Sequence, residues 1–170
     1  DHAVAIGPGG SAWAWGKSTS AHVLGTGTKE ALKPVMLAKL GKVVAVAAGP
    51  THTCVVSEDK ASWCWGEDVP KGALGGLASG SGSQAVQVPL LADLKAVAAG
   101  DGFTCAVSES GATWCWGAGS KGQLGNGATK NNGVPQRVDG VLATSVAAGG
   151  KTACALDKAG SAWCWGAGGS

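Results

Sequence analysis

Six cysteines fall into three pairs of equal spacing, Cys54 with Cys64, Cys105 with Cys115 and Cys154 with Cys164. Paired thiols can form a disulfide, hold a metal or remain reduced in a core. Zinc sites favour close Cys-x-x-Cys spacing, which this sequence lacks. Each pair instead brackets a turn. Phe103 to Ser108 and Ala112 to Trp116 alternate with period two around Glu109-Ser110-Gly111, which is the pattern of a hairpin. In that register Cys105 and Cys115 stand opposite one another, at disulfide separation. At the equivalent spacing near the start stand Val4 and Ala14, so both cysteines are missing together there. Loss as a pair is what a covalent partnership predicts. The alternatives are buried free thiols, which pack as small hydrophobes, and a metal site. The disulfide reading implies an oxidising compartment: extracellular, cell-surface or periplasmic.

The other side chains that could do chemistry do not assemble into a site. His2 and His52 share a repeat position near the cysteine position, with Phe103 and Ala153 at nearby or equivalent places; exchange with Ala argues against a ligand. His22 is a lone histidine in a loop and is expected to be solvated. Glu58-Asp59 and Glu67-Asp68 read as solvated turn acids rather than a catalytic dyad, and no Ser/His/Asp or Cys/His arrangement stands out. Gly122 to Gly127 resembles a phosphate loop only in glycine content, because no strand-to-helix transition accompanies it. The reading is therefore a protein that is not an enzyme, with no cofactor and no metal.

Charge narrows the partners. Twelve lysines and one arginine, Arg137, are scattered among eleven acids, for a net charge of +2. A phosphate-binding face would cluster them, so nucleic acid is not expected. The longest purely apolar stretch, Val43 to Ala48, is far below the roughly 20 residues of a membrane helix. Nothing at Asp1 reads as a signal peptide, so any secretory signal is expected to have been removed or to lie outside this sequence.

The elements that carry these residues repeat. Trp-x-Trp-Gly occurs at Trp13, Trp63, Trp114 and Trp163, and holds all eight tryptophans. Gly49, Gly100 and Gly149 each end a Val-Ala-Ala-Gly, while Leu24-Gly25, Leu74-Gly75 and Leu124-Gly125 recur just past the first three tryptophan pairs. A period near fifty built from short apolar runs and glycine turns points to β-propeller blades, because helical repeats need longer amphipathic segments. With 45% hydrophobic residues the chain can bury a core. One unit reads as a strand at 93–99, the hairpin 103–116 and an outer strand at 134–138, with Pro135 tolerated at its edge. The expected fold is all-β, with four antiparallel strands per blade, over a single propeller region 1–170 with repeats at about 1–42, 43–92, 93–142 and 143–170. In each hairpin the two tryptophans project from one face and the cysteine between them from the other, so the indoles are expected to form a packing layer between blades.

The composite Val146-Ala-Ala-Gly149, Cys154-Ala-Leu156, Gly160 and Trp163-Cys-Trp-Gly166, with Trp116-Gly117, Gly122-Gln123-Leu124-Gly125 and Pro135-x-x-Val138, resembles the repeat of the regulator of chromosome condensation family. The resemblance implies a seven-bladed β-propeller. It does not imply one function, since the fold serves a nucleotide exchange factor on chromatin, a plant ultraviolet photoreceptor, domains of ubiquitin ligases and secreted inhibitors of β-lactamase. The paired cysteines and the scarcity of arginine make this chain more similar to secreted or surface-exposed bacterial members.

The expected function is a non-catalytic extracellular or surface binding or adhesion scaffold that contacts protein partners through inter-strand loops. Glu67, Asp68, Lys130, Asn131 and Asn132 are the candidate partner-binding residues. The rival readings are a lectin-like carbohydrate-binding propeller and a structural assembly. The chain holds about three and a half blades, because it begins and ends with the same hairpin. Its exposed terminal blades must therefore be covered by the remainder of the same propeller, or by copies of itself in a ring or filament.

Overall fold

The computed structural model describes residues 2–18, 20, 22–68, 72–76 and 81–168. Apart from one 3-10 turn at Pro8–Gly10, every regular element is a strand. The first blade contains β1 (His2–Ile6), β2 (Ala12–Lys17) and β3 (Glu30–Met36). The second contains β4 (Val43–Ala48), β5 (His52–Ser57), β6 (Ser62–Gly66) and β7 (Gly82–Gln87), and the third opens with β8 (Leu94–Ala99), β9 (Phe103–Ser108) and β10 (Ala112–Gly117). The chain continues through β11 (Asn132–Gly149), β12 (Thr152–Asp157) and β13 (Ala162–Gly166). Neighbours pair antiparallel in sequence order, the meander of a propeller blade.

In one place the strands depart from the sequence reading. The outer strand of the third blade was expected to end near Val138, yet β11 runs unbroken from there into the innermost strand of the fourth blade and joins both in one six-stranded sheet. The link is shorter here. Residues 37–42 and 88–93 separate the equivalent strands elsewhere, six residues each, whereas 138–142 supplies five. With less chain to turn, an extended path connects the two.

Each hairpin sets its cysteines directly opposite: Cys54 with Cys64, Cys105 with Cys115 and Cys154 with Cys164 are cross-strand partners. All three pairs are disulfide-bonded, with Cα separations of 4.2, 4.1 and 4.1 Å. The alternation of a strand then sorts side chains between the two neighbours of each blade. Trp63 and Trp65 pack toward the first blade with Ala12, Val43 and Val55. Cys54 and Cys64 pack on the other side, with Leu74, Leu94 and Trp116. Cys105 and Cys115 repeat the arrangement against Ala153, Ala155 and Trp165.

Connections alternate between the two ends of the blades. One end, the loop face, carries the turns at 49–51, 100–102 and 150–151 together with the connections from β2 to β3, β6 to β7 and β10 to β11. The other, the turn face, carries the hairpin turns and the links between blades.

Candidate functional site

What holds the loop face in place is a seam repeated between blades. The second tryptophan of each blade reaches back into the preceding blade, where its indole N–H donates to a backbone carbonyl: Trp65 to Val23 at 3.1 Å, Trp116 to Ala73 at 3.0 Å and Trp165 to Gln123 at 3.0 Å. Each acceptor immediately precedes a Leu-Gly pair. Leu24, Leu74 and Leu124 are buried. The glycines take φ of +70°, +68° and +64°, and a Cβ on them would lie 2.7, 2.6 and 2.9 Å from the indole nitrogen. The spacing of Leu-Gly from Trp-Gly thus records a contact between blades. The first tryptophans join this layer at its edge, Trp63 and Trp114 packing against the buried clusters between blades. Trp13, Trp63 and Trp114 are half-buried and Trp163 is exposed, and the N–H groups of Trp13, Trp63 and Trp163 turn to Ser11, Ser57 and Asp157 near their own hairpin turns.

Threonine and histidine complete two seams. Thr53 donates to the Val23 carbonyl at 2.9 Å and Thr104 to the Ala73 carbonyl at 3.0 Å. With each hydroxyl proton used there, the oxygen accepts from a histidine: His2 Nε2 on Thr53 and His52 Nε2 on Thr104, both at 2.8 Å. Nε2 therefore carries the proton, and the buried Nδ1 of His52 has no partner among the described residues. Burial, with a smaller repulsion from His2, pushes the His52 pKa down to about 4; burial lowers that of His2 as well. The strand register places Phe103 and Thr152, not Ala153, at the histidine position. At the third seam, Phe103 and Ala153 replace histidine and threonine together.

The candidate partner-binding residues lie on the loop face, and the structure gives several of them internal roles. Asp68 is buried, against the expectation of a solvated acid. Its carboxylate accepts the N–H groups of Gly72 at 2.8 Å and Leu74 at 3.3 Å, and its own N–H donates to Ser81. Glu67 is bonded at 3.2 Å to His22, which is half-buried rather than free in solvent. The hydroxyls of Ser20 and Ser81, and more weakly His22, hold the Glu67 carboxyl below its usual range. Asn131 and Asn132 cap the N–H groups of Gly119 and Val134, while Lys130 is exposed. The two clusters meet across the second seam, where Gly72 approaches so closely that a Cβ on it would overlap Gly133. In the connections between strands on this face, residues 19, 21, 69–71 and 77–80 fall outside the described residues. Sequence reasoning missed His52, Thr104 and their counterparts; the parallel recurrence of His and Thr was the available signal. Among the described residues, no group of three or more His, Cys, Asp or Glu could hold a metal ion. No helix is long and apolar enough to cross a membrane.

Comparison with known proteins agrees with this geometry. The sequence is 29% identical over 150 residues to the human E3 ubiquitin-protein ligase HERC2, covering 82% of this chain and 3% of that protein. It is 29% identical over 147 residues to the ultraviolet-B receptor UVR8 of Arabidopsis thaliana, covering 81% and 32%. The chain thus spans a third or less of these relatives. Yeast RCC1 (Prp20), solved bound to Kap60, superposes with a TM-score of 0.81 at 22% identity, over 98% of this chain and 42% of its own. The ectodomain of the Physcomitrella patens receptor kinase CR4 gives 0.59 at 19% identity, over 98% and 38%. These likenesses show a shared fold. The regulator of chromosome condensation (RCC1) repeat matches residues 43–69, 94–123 and 143–170, and in a second form residues 110–156. With half the chain matched, the chain belongs to the regulator of chromosome condensation repeat family of β-propellers.

Proposed function

We propose that this chain is a non-catalytic binding scaffold that contacts protein partners through its loop face, in an extracellular, cell-surface or periplasmic setting. The observation that carries this reading is the junction of Gly72 with Gly133. It joins the Asp68 loop of one blade to the Lys130–Asn132 segment of the next, so that non-repeating residues from two blades form one continuous surface on rigid strands. The setting rests on the three disulfides, which persist in oxidising compartments. Protein binding also fits yeast Prp20, which was solved bound to Kap60.

The test is affinity capture from the extracellular fraction of the native source, followed by mass spectrometry. Lys121→Glu/Lys130→Glu alters the loop face and Asp139→Lys/Lys158→Glu alters the opposite end. A protein captured by wild type and by the turn-face variant but lost with the loop-face variant supports the reading. Loss with the turn-face variant alone overturns it.

The remainder of the ring is proposed to come from further repeats of the same polypeptide, giving seven blades. The reading is supported by apolar side chains exposed on both terminal blades, including Leu32, Leu156 and Trp163. A self-assembled ring or filament is the second reading, favoured by the same exposure. Light scattering of the 170-residue chain separates a stable monomer, which refutes the need for a cover, from an assembly.

A further inference from the structure

Along the seam between the first and second blades, an open groove of about 850 Å³ runs from Gly25–Gly27 at the loop face, past the apolar segment Val35–Leu40, to the hairpin turn of the second blade at the turn face. Val35 and Met36 are 41% and 50% exposed along it, and Trp63 lines the opposite side. The Trp63 indole N–H donates to Ser57 Oγ at 3.2 Å, and the same hydroxyl donates to the carboxylate of Asp59. Indole, hydroxyl and carboxylate are therefore one connected unit at the rim. The neighbouring Glu58 is engaged by Lys42 at 3.5 Å. Asp59 accepts from the Ser57 hydroxyl and the Ala61 N–H, and among the described residues it joins no ion pair.

The next blade shows what such an indole takes. Trp114, at the position of Trp63, has Arg137 as its cross-strand partner, and the guanidinium lies over the ring at 5.8 Å from its centre. In the second blade the cross-strand partner of Trp63 is Gln87, which carries no charge. The chain thus supplies its own cation at one blade and leaves the equivalent indole, with a carboxylate that joins no ion pair among the described residues beside it, bordering a groove at the other.

We propose that this groove binds an extended protein segment presenting one arginine beside an aliphatic side chain. The guanidinium lies on Trp63 and pairs with Asp59, as an indole attracts a cation to its face. The aliphatic side chain packs on Met36 and Leu40. Lys39 and Lys42 line the groove against Glu58 and Asp59, so its charged lining is balanced and suits a single cation rather than a basic run. The contact lies at the turn-face end of the groove and uses neither Gly72 nor Gly133, so it is independent of the loop-face reading.

The probes are two blocked peptides, Gly-Leu-Arg-Leu-Gly and its Gln-for-Arg counterpart, titrated into the 15N-labelled full chain while the eight indole N–H resonances are followed. The arginine peptide is expected to shift the Trp63 resonance and to bind about five-fold more tightly than the glutamine peptide. Asp59→Asn, at an exposed turn position, is expected to abolish that preference. Met36→Gln is expected to weaken both peptides alike. Equal binding of the two peptides by wild type, a preference unchanged in Asp59→Asn, or shifts centred on a tryptophan other than Trp63 would each overturn the proposal. The wild-type comparison of peptides does not depend on any variant folding.

Discussion

Replacing His52 and Thr104 together by Phe and Ala installs at the second seam the pair that the third seam already uses, Phe103 with Ala153. Space permits the exchange: the His52 ring sits over Gly49, with Cε1 3.2 Å from where a Cβ would be, as the Phe103 ring sits over Gly100. The Ala73 carbonyl keeps the Trp116 N–H as a donor, just as Gln123 is served by Trp165 alone. The consequence is a changed response to acid. His52 titrates near 4 in the fold against an ordinary value of 6.5, because burial disfavours its charged form. Between those limits the unfolded chain binds a proton that the folded chain does not, so stability is fully present above pH 6.5 and falls as pH drops toward 4. Each factor of ten in proton affinity is worth about 1.4 kcal/mol. The His52 share of the loss is therefore about 2 kcal/mol at pH 5 and about 3 kcal/mol near pH 4. His2, lowered in the same direction, adds to the wild-type loss and remains in the variant. The carboxylates Asp59, Glu67, Glu109 and Asp157, with lowered pKa values, contribute only at still lower pH, so pH 7 and pH 5 are the useful points. Urea denaturation followed by tryptophan fluorescence measures the difference. The double variant is expected to lose about 2 kcal/mol less than wild type on going from pH 7 to pH 5. Equal losses would refute the assignment of a buried, neutral His52 to this seam.

Truncating Trp116 to Ala removes a fully buried indole together with its bond to Ala73, and is expected to cost about 3 to 5 kcal/mol in the same assay. A variant of unchanged stability would place the ring outside the core. Gly75→Ala sets a Cβ 2.6 Å from the Trp116 nitrogen at a φ of +68°, and is expected to cost about 2 to 4 kcal/mol. An unaltered melting temperature would show that the seam does not close as described. Under limiting reductant, Cys154 and Cys164 are expected to be alkylated first, because Cys164 is exposed while Cys54, Cys64, Cys105 and Cys115 are buried against the following blade. Peptide mapping that finds all six labelled at one rate would refute that order.

The hairpins, the facing cysteines and the division of tryptophans and cysteines between two faces of each blade were legible in the sequence, because strand alternation is local and Cys105 and Cys115 are only ten residues apart. The recurrence of Trp-x-Trp-Gly likewise announced a propeller, since each copy must build the same unit. Tertiary structure alone decided what the recurring residues touch. Trp116 finds its acceptor 43 residues earlier in another blade, and a glycine such as Gly75 is required by the ring that lands on it. The same distance hid the coupling of His52 to Thr104, which lie 52 residues apart and are exchanged as a pair only at a seam that folding creates. Asp68 looked like a solvated acid because it stands beside Glu67 in a connection between strands, yet the chain folds back so that two N–H groups meet its carboxylate. A repeat pattern specifies which side of a blade each residue faces; which residue of the neighbouring blade it meets depends on how the blades stack.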